Sequence, residues 1–162
     1  MKAPSPNAAN AFEKALAYAT ILLAAMVLAA LARGREQLGA IPPVIWLHIA
    51  SLMVALVLTP VLLLRRRGDK KHRVLGWIWA VAMVITAADS LQVRVINPGH
   101  FSVIHILSIV VLITVPLLVF RARKHQVAAH RRGVRIIVTA GILGAGVYAF
   151  PVSRLLGHLL FG

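Results

Sequence analysis

Five long apolar stretches, separated by short polar ones, set the pattern of the chain: Ala15 to Ala32, Val44 to Leu64, Val74 to Val93, Phe101 to Phe120, and Ile136 to about Val152. Each approaches the roughly 20 apolar residues with which an α-helix crosses about 30 Å of hydrocarbon. The pattern predicts an all-α integral membrane protein with five transmembrane helices, over about 15–33, 43–65, 72–94, 101–121 and 133–160. They form one bundle domain, 15–162, behind a short polar N-terminus of residues 1–14. Lys2 and Lys14 ahead of the first stretch, with Ala30 to Ala32 at its end, also fit a cleaved secretory signal. That stretch is longer than the usual signal core of about 7 to 15 residues, which favours a helix that remains in the bundle.

Composition supports the membrane reading, since 60% of the 162 residues are hydrophobic. Charge adds an orientation. Six cations follow the second stretch (Arg65, Arg66, Arg67, Lys70, Lys71, Arg73) and six follow the fourth (Arg121, Arg123, Lys124, Arg131, Arg132, Arg135). Lys and Arg concentrate in cytoplasmic loops, so these twelve of the eighteen cations predict a cytoplasmic N-terminus and an outer C-terminus. The net charge of +14 points to membrane lipid rather than nucleic acid, because the cations flank the spans and form no nucleic-acid module.

The chain has no cysteine, which removes disulfides, thiolate metal sites, iron–sulfur clusters and covalent haem c attachment. Only four acids are present, Glu13, Glu36, Asp69 and Asp89, so a dicarboxylate hydrolase site is not supported. Seven histidines are left as the candidate chemistry.

An internal repeat organises four of them. "LHIASLMVALVLTPVLLLRRRGDKKHR" and "IHILSIVVLITVPLLVFRARKHQVAAHR" share a His, a Ser three residues on, a central Thr and Pro, an Arg cluster and a final His-Arg. His48 and His105 are 57 positions apart, and His72 and His130 are 58 apart. The chain therefore reads as a duplicated two-helix hairpin, helices 2–5, behind one extra helix. The two copies are parallel, as in transporter halves related by an axis along the membrane normal.

His48 follows Pro43 by five residues and His105 follows Gly99 by six, which sets both rings roughly 7 to 9 Å inside the outer ends of their helices. Two imidazoles at one depth on neighbouring helices suit bis-axial ligation of a haem iron. His72 and His130 share the opposite, inner depth. Ser51 and Ser108 lie on nearly the same helix faces as the outer histidines. They either position a ring or bond their own helix carbonyls, the commoner fate of membrane serines.

This arrangement resembles the cytochrome b561 superfamily, over most of residues 44 to 160. The resemblance implies a four-helix core with two b-type haems, one between helices 2 and 4 through His48 and His105, one between helices 3 and 5 through His72 and His130. "KKHRVLGWIW", with its HRxxG pattern, "HRRGVR" and "FPVSRLLG" also resemble a bacterial family of small uncharacterised predicted membrane proteins. Bacterial inner-membrane localisation is implied with it. On this reading Arg73 and Arg131, next to the inner histidines, pair with haem propionates. In the plainer alternative those His-Arg pairs bind lipid phosphate.

Asp89 is the one acid inside the apolar stretches and has three candidate roles: pairing with Arg94, orienting a histidine, or taking up a proton. Trp46, Trp77 and Trp79 read as interfacial anchors, with Trp79 deep enough to pack on a porphyrin. Pro60, Pro116 and Pro151 are expected to bend helices, and Gly141, Gly144 and Gly146 to allow close packing or room for a flat cofactor. His100, His125 and His158 read as solvated interface residues.

The leading expectation is thus an electron-transfer cytochrome with one or two b haems. Its donor would be quinol or another small reductant, and a redox partner protein its acceptor, the chain acting alone, as a homodimer or as a subunit of a complex. The alternatives are a non-redox anchor or assembly subunit and a haem or metal transport protein.

Overall fold

A computed structural model of the chain describes residues 9–92, 103–151 and 154–161, and among these it is helical, with no strand. The first helix, α1 (Ala11–Arg33), starts four residues ahead of the apolar run. The cause is a capping box: Asn10 Oδ1 accepts the Glu13 N–H at 2.9 Å, and Glu13 Oε2 accepts the Asn10 N–H at 3.1 Å. Residues 11–14, expected in the polar lead-in, are therefore the first turn of the helix. A 3₁₀ turn (Arg35–Ala40) leads to α2 (Pro43–Leu64), where Pro43 opens the helix with φ already set and no amide to satisfy. Next come α3 (Lys70–Ser90) and α4 (Val103–Arg123).

These four helices are long and apolar enough to cross a membrane, as a multi-pass membrane protein requires. Their large exposed side chains suit lipid: Leu22, Ile106 and Ile113 are each more than 60% exposed.

The last stretch departs from the expected single helix over 133–160. It begins earlier, as α5 (Val127–Ile136), passes through a π-helical segment (Ile137–Gly144) and ends as α6 (Ala145–Tyr148). Pro151 lies beyond that end rather than inside a helix, while Pro60 and Pro116 are inside α2 and α4. A separate short helix, α7 (Leu155–Phe161), packs on α1, where Leu159 fills the space at Gly34.

Glu13 fixes the relative direction of the helices. Its carboxylate contacts Arg67, just past α2, and Arg131 and Arg135 of α5. The start of α1 and both cationic loops are thereby gathered at one end of the bundle, here called the basic end. Consequently α2 and α4 run toward that end, and α3 and α5 away from it.

Between the helices lies an apolar core around Leu56, Leu118, Ile137 and Ile142, crossed by a few hydroxyl bonds. Trp79 Nε1 donates to Thr59 Oγ1 at 2.9 Å, so this indole ties α3 to α2. Trp77 is half exposed, with the Arg123 guanidinium 5.4 Å from its ring centroid. Gly146 packs so closely on α1 that an added Cβ would sit 2.4 Å from Leu23 Cδ2.

The turn into α3 carries its own pH dependence. Asp69 caps that helix by accepting the His72 backbone N–H at 2.6 Å and the Arg65 guanidinium at 2.9 Å, and these donors hold its carboxyl below the usual carboxylate range. A carboxyl lowered on folding stabilises above its unfolded pKa and loses that contribution as pH falls. Acidification below about pH 4 should therefore lower the protection of the His72 amide against exchange, relative to its intrinsic rate at each pH. Asp69→Asn keeps an acceptor at the cap without the charge, and the protection of its residue-72 amide, relative to the intrinsic rate, should not vary across the same window.

Candidate functional site

At the end of the bundle opposite the basic loops, a cavity of about 500 Å³ opens between α2 and α4. Ile45, His48 and Leu52 of α2 face Ile104, Leu107 and Val111 of α4 across it. The π-helical segment supplies Gly141 and Ile142, and the chain after α6 supplies Phe150 and Arg154. Gly141 matters to this shape, since an added Cβ would stand 3.3 Å from Val111 Cγ2 on the far wall.

His48 is on the cavity wall, with its Nδ1 3.9 Å from Asp89 Oδ2 on α3. Neither atom has a hydrogen-bond partner among the described residues, and Asp89 is only 3% exposed. Of the three roles considered for Asp89, the described residues bring it to a histidine. Pairing with Arg94 falls outside the described residues, as does any role for His100.

His105 is buried, at 2% exposure, on the helix facing His48. It does not itself line the cavity, although its neighbours Ile104 and Ser108 do.

The two repeat serines bond within the helix framework. Ser51 Oγ lies 2.9 Å from the Leu47 carbonyl and 3.1 Å from that of His48, and it accepts from Thr86 Oγ1 of α3 at 2.8 Å. Ser108 Oγ donates to the Ile104 carbonyl at 3.1 Å and lies 2.5 Å from Ser90 Oγ of α3. These bonds clip α3 to α2 and to α4 beside the cavity. Trp79, engaged by Thr59, does not line it.

Toward the basic end, His72 and His130 stand in the first turns of α3 and α5. His130 Nδ1 is 3.0 Å from the Leu118 carbonyl. A carbonyl only accepts, so Nδ1 is the donor of this bond. His72 Nδ1 is buried without a hydrogen-bond partner among the described residues.

The arginines beside these histidines differ from each other. Arg73 is exposed at the start of α3. Arg131 donates to both oxygens of Glu13, at 2.5 and 2.7 Å, and that bonding holds its guanidinium still more firmly protonated. His125 and His158 are exposed, His125 in the turn between α4 and α5 with φ 55°.

Three features were absent from the expected site: Glu13, the π-helical segment and Arg154. Glu13 had a signal, since "NAFE" at Asn10 to Glu13 is an Asn-x-x-Glu cap in a chain with few acids and many cations. The other two arise only from packing. Comparisons of the chain with models of protein families, with curated proteins and with solved structures each return no match.

Proposed function

We propose that the chain is a membrane-bound b-type cytochrome, with five membrane spans, that moves electrons through histidine-ligated haem. The observation that carries this reading is the cavity between α2 and α4 with His48 on its wall and the Asp89 carboxylate behind the ring. Histidines that bind iron commonly present one nitrogen to the metal and donate the other N–H to a carboxylate or carbonyl. His130 has such a carbonyl in Leu118, and a carboxylate, that of Asp89, lies 3.9 Å from His48 Nδ1.

On this reading His48 and His105 hold one haem b, and His72 and His130 a second at the basic end. Bound haem supplies one-electron chemistry, its iron alternating between the ferrous and ferric states. The remaining work belongs to the chain. The Leu118 carbonyl holds the Nδ1 proton of His130, the Asp89 carboxylate supplies a negative charge 3.9 Å from His48 Nδ1, and the apolar wall keeps water away. The resemblance implies a bacterial inner membrane, and the twelve loop cations favour a cytoplasmic N-terminus. Quinol or another small reductant is the proposed donor, with a redox protein as acceptor.

One observation favours the rival, a non-redox anchor or assembly subunit. His105 is buried beside the cavity rather than lining it, as a packing histidine would be.

A dithionite-reduced minus oxidised spectrum of the detergent-purified protein, with haem quantified per chain, separates the two readings. About two low-spin b haems per chain are expected, with His48→Ala and His72→Ala each removing one. Loss of haem in His48→Ala alone would confine the site to the cavity. A colourless protein from haem-replete cells would overturn the cytochrome reading in favour of the anchor.

A further inference from the structure

The cavity has one permanent cation on an otherwise mostly apolar wall. Arg154, just before α7, lines it with its guanidinium 4.8 Å from the centroid of the Tyr148 ring. Nη2 donates to the Tyr148 hydroxyl at 2.9 Å, while Nε is buried without a hydrogen-bond partner among the described residues.

Among the described residues, no acid pairs with this charge. Glu13 is held by three arginines, Asp69 by Arg65, and Asp89 faces His48. Glu36 is exposed on the 3₁₀ turn, and Arg154 forms no ion pair among the described residues. The hydroxyls of Thr86, Ser90 and Ser108 on the wall are also committed, Thr86 to Ser51 and the Ala82 carbonyl, Ser90 and Ser108 to each other and to carbonyls of their own helices.

A cation beside an apolar cavity is costly unless something supplies the opposite charge. A guanidinium offers its N–H groups in a planar fork that matches a carboxylate. We propose that Arg154 receives the carboxylate of a ligand whose apolar body fills this cavity. A volume of about 500 Å³ is in the range of a small-molecule site. Two sources present this chemistry, a porphyrin propionate and a long-chain fatty acid. The inference stands on the cavity and its cation, whichever body is bound.

The test compares each acid with its neutral ester. Full-length protein, freed of haem and held in phosphatidylcholine nanodiscs, is titrated with haem, haem dimethyl ester, palmitic acid and methyl palmitate, binding being read from the rise in melting temperature. The wild type should bind at least one acid about tenfold more tightly than its ester. Arg154→Gln should abolish that preference without changing ester binding, which also reports that the cavity is intact. Arg154→Lys, which keeps the charge and loses the fork, should retain part of the preference.

Preference for haem over its ester assigns the carboxylate to a propionate. Preference for palmitic acid, with neither haem nor its ester bound, upholds Arg154 as the carboxylate site and removes haem from this cavity, so the two proposals fail separately. Equal binding of acid and ester by the wild type, or an undiminished preference in Arg154→Gln, would overturn the inference.

Discussion

Glu13→Ala lowers the melting temperature of the detergent-solubilised protein by about 6 to 12 °C, corresponding to a loss of about 3 kcal/mol. The basis is charge rather than volume. The Glu13 carboxylate is buried, at 1% exposure, and takes the Arg67, Arg131 and Arg135 guanidinia at 2.6, 2.5 and 3.0 Å. Removing it leaves three cations facing one another with no anion between them. Removing one partner of a buried pair costs about 3 to 5 kcal/mol, and the lower figure applies because the arginines retain some water. Glu13→Ala also deletes half of the capping box on α1. Arg67→Ala leaves Glu13 with two guanidinia and should cost markedly less. Equal melting of Glu13→Ala and wild type would show the cluster to be energetically neutral.

Gly157→Ala is the second large effect, expected to cost about 1 to 3 kcal/mol and to loosen α7 from the bundle. A Cβ at this position would fall 2.1 Å from the Pro151 carbonyl oxygen and 2.3 Å from that of Phe150. Both are backbone atoms, so no rotamer change relieves the overlap. The neighbouring chain must move, and with it Leu155, Leu156 and Arg154, which wall the cavity. Limited proteolysis should then cut near α7 faster than in the wild type. Gly76→Ala is the control: nothing lies within 4 Å of an added Cβ there, and alanine in a helix interior should stabilise by roughly 0.5 to 1 kcal/mol. If Gly157→Ala and Gly76→Ala melt alike, the close approach at Gly157 is not a constraint.

Length and apolarity made α1 to α4 legible, because a run such as Val44 to Leu64 has few other uses. The gathering of both cationic loops at one end was legible too, since Glu13 ties Arg67, Arg131 and Arg135 together there. Helix 5 was misread at both ends for a physical reason. "VAAHRRGVR" is too polar to resemble a span, yet α5 begins there, and the chain turns after Tyr148 although the apolar residues continue to Phe161. A π-helical segment leaves no period that hydrophobicity reveals.

The site was readable by residue type and not by partner. His48 stands out as a ring in an apolar run, whereas its approach to Asp89 depends on how α3 lies against α2. Nothing in the sequence singles out Arg154, the one arginine after the apolar stretch that ends near Val152. Its place on the cavity wall depends on the turn that brings α7 back onto α1.

The Glu13 cluster also sets an order on assembly. Glu13 is made first and meets Arg67 only after 54 further residues, while Arg131 and Arg135 emerge 118 and 122 residues behind it. Until α5 leaves the ribosome, the first helix carries an acid with one of its three counter-charges. A nascent chain halted after α4 therefore has an incomplete ion cluster at its basic end.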